Sequence, residues 1–228
     1  MANEYCTLTN FKTYGRIDST DTADDTFISG LIESVSRGID SFTGRKFFSH
    51  IETRHYDVPD YNISTQTAPG YLQGRVLFLD DDILSVSTLT NGDGTTIAAS
   101  EFQLLPLNEG GKRQIRIKPS SSVTFETDSS GNWEGALAVA GVWGYVSGSP
   151  SVTGGWAGSA SDAFSVETMA RLELATKIIA NDTYKKRTGQ MGEGVATLTA
   201  AGVVIRPSGW PREATDLLLP LRWIGMVG

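Results

Sequence analysis

Apolar and polar positions change their period along this chain. Between residues 21 and 44, apolar side chains return every three or four positions, at Phe27, Ile28, Leu31, Ile32, Val35, Ile39 and Phe42. That is the spacing of one helical stripe. The helix begins near Asp21; Asp24 and Asp25 stand in its first turn, where carboxylates meet the positive end of the helix dipole, and Gly44 supplies the stop. The same pattern predicts a long helix over 162–188. Met169, Leu172, Ala175 and Ile179 mark one edge of its apolar face, with Leu174 and Ile178 beside them, and Lys185, Lys186 and Arg187 fill its last turn. A third, short helix starts at Pro211, a residue suited to a first helical position, buries Leu217 to Leu219 and ends at Pro220.

Between the first two helices the period shortens. Segments 51–58, 75–79, 83–90, 101–105, 113–118, 122–126 and 135–146 read as short strands. Turn-forming runs separate them: Asp80-Asp81-Asp82, Asn91-Gly92-Asp93-Gly94, Glu109-Gly110-Gly111 and Ser129-Ser130-Gly131. Segment 113–118 alternates strictly, with Ile115 and Ile117 inward and long charged residues outward. The expected fold is α+β: a small core of three main helices carrying a large inserted antiparallel sheet or sandwich. The boundaries fall at 1–48 for the lead and first helix, 49–147 for the β insertion, and 148–228 for the remainder. That remainder holds a Gly/Ser-rich loop, the long helix, a glycine-rich stretch at 189–209 with a hairpin across Ala201-Gly202, and the C-terminal helix and tail.

Composition narrows the function. The 228 residues are 39% hydrophobic and 20% charged, enough for a packed core and too few charges for a solvated, unfolded chain. Lys and Arg number 19 against 26 Asp and Glu, a net charge of −7, which disfavours a protein that holds nucleic acid by neutralising phosphates. The lone Cys6 has no partner for an internal disulfide and reads as a small buried or half-exposed side chain. The first twenty residues show no apolar leader, and the longest nearly apolar run, 135–143, is too short to cross a bilayer as a helix. A soluble chain folded in a reducing cytoplasm, with no membrane partner, is the expectation.

Catalytic signals are sparse. His50 and His55 lie five apart in an extended segment, on opposite faces, and do not share a metal. The Gly111-Lys112 pair lacks a phosphate-cradling context, because Pro106 and Arg113 stand where a glycine and a hydroxyl residue are needed. A tight turn explains Asp80 to Asp82 more simply than calcium does. Lys112, Arg113, Arg116 and Lys118 read as a solvated strand face. No enzyme, cofactor or metal is expected. Trp133, Trp156 and Trp210 stand in Gly-, Ser- and Pro-rich loops, each either a plug on its own domain or an anchor in a protein interface.

Several segments resemble a known family. The opening Tyr5 to Lys12, an acidic spacer and a helix closing Ile39-Asp40-Ser41-Phe42-Thr43-Gly44-Arg45 are similar to the N-terminus of tailed-phage head–tail connector proteins, also called adaptor or head-completion proteins. Residues 139–145, Val-Ala-Gly-Val-Trp-Gly-Tyr, resemble the Gly- and aromatic-rich strand that precedes that family's second long helix. Residues 211–223 resemble its terminal helix. The order and spacing of these segments carry the resemblance over nearly the whole chain.

The resemblance implies a structural virion protein at the head–tail junction, assembled in the host cytoplasm. It implies a homo-oligomeric, normally dodecameric ring beneath the portal protein, docking a stopper, terminator or tail-tube protein on the tail side. Genomic DNA passes through its lumen without sequence-specific binding, a role that suits net negative charge. The smallest members are nearly all helical, so the β insertion is a departure, expected on the outer rim or facing the next ring. Trp156, Trp210, Arg222 and Trp223 are the candidate interface residues, with 189–209 and the tail after Pro220 as docking segments. A second reading, a carbohydrate- or receptor-binding β module of a phage structural protein, rests on the sheet and the loop tryptophans.

Overall fold

The computed structural model describes residues 3–59, 74–108, 110–147, 163–188 and 209–223, together with the backbone of two short strands at 197–198 and 204–205. The chain forms two compact units, one from Met1–Arg45 with Gly148–Gly228 and one from Lys46–Ser147.

Four helices, rather than three, build the first unit among the described residues. The additional one, α1 (Leu8–Gly15), lies in the lead: the Thr7 hydroxyl accepts the Asn10 N–H at 3.1 Å, and Arg16 ends the helix in the left-handed conformation, φ 54°. Eight residues are too few for an apolar period to repeat, so its cap is the only strong sequence signal. Helix α2 (Asp25–Thr43) begins one turn later than the Asp21 expectation and stops at Gly44, φ 65°. It buries Ile28, Ile32, Val35 and Ile39, and leaves Phe27, Leu31 and Phe42 half-buried. Helix α3 (Ala163–Arg187) packs against α2 and against α4 (Arg212–Leu218). It buries Met169, Leu172, Ala175 and Ile179, but Leu174, expected beside that face, is 41% exposed.

After α4 the chain tightens into a 3-10 turn, Leu219–Leu221. The tighter winding brings Leu221 inward and leaves Leu219, expected in the core, half exposed. The lead is stitched to α2: the Tyr5 N–H donates to the Ser36 hydroxyl at 3.0 Å, and the Tyr5 hydroxyl donates to Asp40. Cys6 is buried beside it, and burial pushes its thiol up to about 12. Two short strands, β7 (Thr197–Leu198) and β8 (Val204–Ile205), pair antiparallel with Thr197 opposite Ile205; Ala201-Gly202, where the hairpin is expected to cross, lies outside the described residues.

The second unit is one antiparallel sheet of β1 (His50–Tyr56), β2 (Val76–Thr90), β3 (Thr96–Ile97), β4 (Phe102–Leu105), β5 (Lys112–Ile117) and β6 (Leu137–Trp143). The strand order is β1-β6-β2-β5-β4, with β3 also on β2. The strands expected at 75–79 and 83–90 are a single strand, because Asp80 to Asp82 do not turn. The first half of β2 pairs with β5, Leu77 opposite Ile115, and the second half with β6, Leu89 opposite Val139. Its register slips between Phe78 and Ile83. At that slip Asp81 and Asp82 are buried in succession, which breaks the alternation of the strand.

Arg113 answers the first buried charge, its Nε and Nη2 each donating to the Asp82 carboxylate at 3.0 Å. It is therefore drawn inward, not solvated as its place in an alternating strand predicts. Gly111 stands directly over this carboxylate, where a Cβ would overlap it. Asp81 meets Arg54 at 3.4 Å and Lys46 at 3.7 Å, and Asp80 meets Arg54 at 3.0 Å and the Tyr56 hydroxyl. Burial opposes ionisation of Asp80, but the hydrogen bonds from Tyr56 and Arg54 outweigh it and hold the carboxyl below its usual range.

Segment 122–126 is not a strand. Asn91 holds it instead, donating to the Thr124 carbonyl and accepting the Glu126 N–H, each at 2.9 Å. Leu77, Leu89, Ile97, Phe102, Ile115, Val139 and Trp143 gather into one core to which every strand from β2 to β6 contributes. Among its described residues this unit has no helix, and its core is built from the strands and loops of the sheet alone. The two chain ends of the unit run side by side. The Tyr145 N–H donates to the Lys46 carbonyl at 3.1 Å, the Val146 N–H to that of Phe47 at 3.3 Å, and the Phe47 and Tyr145 rings meet edge to face at 5.6 Å.

Arg113→Met strands the buried Asp82 charge and is expected to lower the unfolding free energy by about 3–5 kcal/mol, read from the urea midpoint. Adding Asp82→Leu should restore most of that loss; a single substitution no costlier than a surface change would show that the pair does not hold the slipped register. The Cys6 thiol should stay unreactive toward a thiol reagent at about pH 8 until urea unfolds the chain, and should then react fully. Rapid labelling of the folded protein would contradict its burial.

Candidate functional site

Three of the four residues nominated from sequence converge on the C-terminal end of α2. Trp210, just ahead of α4, places its ring 5.5 Å from that of Phe42. Its Cζ2 fills the space beside Gly38, where a Cβ would come within 2.9 Å. Gly38 is the seat of the indole. The Arg222 guanidinium lies 5.8 Å from the centre of the Phe42 ring, within range of a cation–π contact. The next N–H, that of Trp223, donates to the Thr43 carbonyl at 2.8 Å, satisfying one of the last α2 carbonyls, which have no partner inside the helix. The segment after α4 is thus tied back to the end of α2.

Within this cluster Trp210 is half-buried, Arg222 is exposed and Trp223 is 42% exposed. The arrangement offers an aromatic surface rimmed by a cation, which suits packing against a protein rather than making or breaking bonds. Phe42, which meets Trp210 and Arg222, reads in sequence as the edge of the α2 stripe. Its distinguishing signal is its place in the last turn, beside two loop-borne aromatic residues. Trp156, most of 189–208 and the tail after 223 lie outside the described residues.

Other aromatic side chains stand apart on the sheet unit, Trp133 at 51% and Phe78 at 63% exposure. Along α3, Val166 and Leu174 are exposed as well, at 54% and 41%. His50 Nε2 approaches Glu52 at 3.2 Å. Among the described residues, no group of three or more His, Cys, Asp or Glu is placed to hold a metal ion, and no helix is long and apolar enough to cross a membrane.

No family model and no curated protein matches this chain. Among solved structures, it is similar to a chain from the neck of the empty GTA (gene transfer agent) particle computed with C6 symmetry, with a TM-score of 0.50 and 14% identity. That match covers 97% of this chain and 91% of the other. A chain from the neck of the native GTA particle computed with C12 symmetry gives a TM-score of 0.47 at 14% identity, covering 100% and 98%. The first likeness shows a shared fold.

Trp210→Ala, which empties the seat beside Gly38, should destabilise the isolated protein by about 2 kcal/mol, seen as a lower thermal midpoint. Gly38→Leu should act in the same direction by displacing the indole, whereas Trp133→Ala should change little. An unmoved midpoint in Trp210→Ala would mean that the indole does not support its own unit.

Proposed function

We propose that this chain is a structural protein of a phage-like virion neck: an adaptor that forms an oligomeric ring between the portal and the tail or stopper and extends the DNA channel. The supporting observation is the fold shared, over nearly its full length, with a chain from a GTA particle neck. That likeness includes the residues of the inserted sheet, the feature in which this sequence departs from the smallest connector proteins. The protein acts by shape and surface rather than by turnover. Its helical unit forms the ring, and its sheet unit lies on the outer rim or faces the next ring. Arg222 and Trp223 meet the portal or the tail-side partner, with Trp210 as their support and Trp156 contributing from the Gly/Ser-rich segment. The surplus of acidic residues, net −7, keeps the passing DNA from adhering to the lumen.

Electron microscopy of lysates from a phage carrying a nonsense mutation in this gene tests the reading. Filled or leaking heads beside free, unattached tails are the expected outcome. Intact particles that fail only to adsorb would sink the adaptor role and favour a carbohydrate- or receptor-binding module.

A further inference from the structure

After α4 the chain winds with a period of three. Leu219–Leu221 is a 3-10 turn, and the Arg222 N–H closes it by donating to the Leu219 carbonyl at 3.2 Å. In that winding, residues three apart lie one above the other. Leu219 and Arg222 therefore share the outward side, both exposed, while Leu221 between them is buried. Trp223 follows, tied by its N–H to the end of α2 and still largely open to solvent. A leucine, an arginine and a tryptophan thus stand together at the surface, backed by Phe42 and Trp210.

Three other arginines of the helical unit have carboxylates of their own: Arg37 meets Asp40, Arg171 meets Glu167 and Arg212 meets Asp216. Arg222 has the Phe42 ring instead. Among the described residues, no carboxylate and no hydrogen-bond acceptor reaches its guanidinium. A ring supplies none of its five N–H donors with an oxygen, so the fork that matches a carboxylate stays open.

The neighbours of that fork narrow what fills it. Leu219 and Trp223 gain from being covered, and a charge pair beside them strengthens as water leaves. The phosphate of a passing nucleic acid would answer Arg222 and leave both apolar side chains in water. A protein segment that carries a carboxylate next to an apolar side chain answers all three.

We infer that Leu219, Arg222 and Trp223 receive a segment of another neck protein in which an aspartate or glutamate stands beside a large apolar side chain. The carboxylate meets the Arg222 fork, and the apolar side chain covers Leu219 and Trp223. This rests on the neck reading above and names the chemistry of the partner that meets Arg222 and Trp223.

The test is made in the phage. Arg222→Glu sets two carboxylates against each other and is expected to cut the plaque yield by on the order of a hundredfold, leaving heads beside free tails. The purified variant should keep its thermal midpoint, because Arg222 is exposed. Leu219→Asp probes the same surface through its apolar part and is expected to cost a similar factor. Plaques recovered from Arg222→Glu should carry an Asp or Glu replaced by Lys or Arg in a neighbouring neck protein. Normal yield from both variants overturns the inference. A compensating change within this chain would put a second copy on the surface, and the lack of any acidic-to-basic change would point to a phosphate; either result overturns it as well. Failure of the neck reading looks different: the nonsense mutant then gives intact particles that do not adsorb, whatever the Arg222 variant does.

Discussion

Strand β2 pairs with β5 along its first half and with β6 along its second, and its register slips where Asp81 and Asp82 are buried side by side. Buried carboxylates are costly unless cations meet them. Those cations arrive from separate segments: Arg113 on β5, Arg54 on β1 and Lys46 at the start of the unit. The need to neutralise one short acidic run therefore fixes where three other pieces of chain must lie. Arg54 does a second job at once. Its guanidinium lies 4.3 Å from the centre of the Trp143 ring, which Tyr56 flanks in a stacked arrangement at 6.2 Å. Trp143, fully buried, returns a hydrogen bond from its indole N–H to the Glu52 carbonyl at 3.0 Å. Charge and aromatic packing in this unit are one system.

The helical unit is held differently. Its apolar stripes do most of the work, and a few long-range polar contacts set the ends. Lys12 pairs with Asp25 at 2.5 Å and also donates to the Asp21 carbonyl at 2.7 Å, which anchors α1 to the start of α2. Asn10 reaches Glu173 at 2.6 Å, and the Tyr184 hydroxyl donates to Asp24 at 2.8 Å. Arg187 covers the Phe27 ring at 3.7 Å. These contacts gather on the inner sides of α2 and α3.

The helices α2 and α3 are legible in sequence because each is long enough for the three- and four-residue spacing to repeat several times. In α1 the spacing never repeats, and only Thr7 hints at it. Asp80 to Asp82 mislead because turns and buried ion clusters draw on the same residue. What distinguishes them is Arg54 or Arg113, 27 and 31 positions away from the carboxylates they meet. Residues 122–126 alternate like a strand but receive their hydrogen bonds from a side chain, that of Asn91. Among the candidate site residues, Trp210, Arg222 and Trp223 stand out as loop and terminal residues of anchoring type. The seating of Trp210 beside Phe42 depends on Gly38, whose lack of a side chain means something only once the indole is placed against it. The exposure of Leu174 is hidden for a related reason, since a helix apolar on two sides offers no single face to assign.

The paired ends of the sheet unit carry a consequence for its history. Lys46 and Phe47 are hydrogen-bonded to Tyr145 and Val146, so about a hundred residues begin and finish at one spot. A module whose ends meet asks its host only for two adjacent attachment points. One recombination event is enough to add or remove it. The helices and the sheet are thus free to have descended from separate ancestors and to diversify at separate rates.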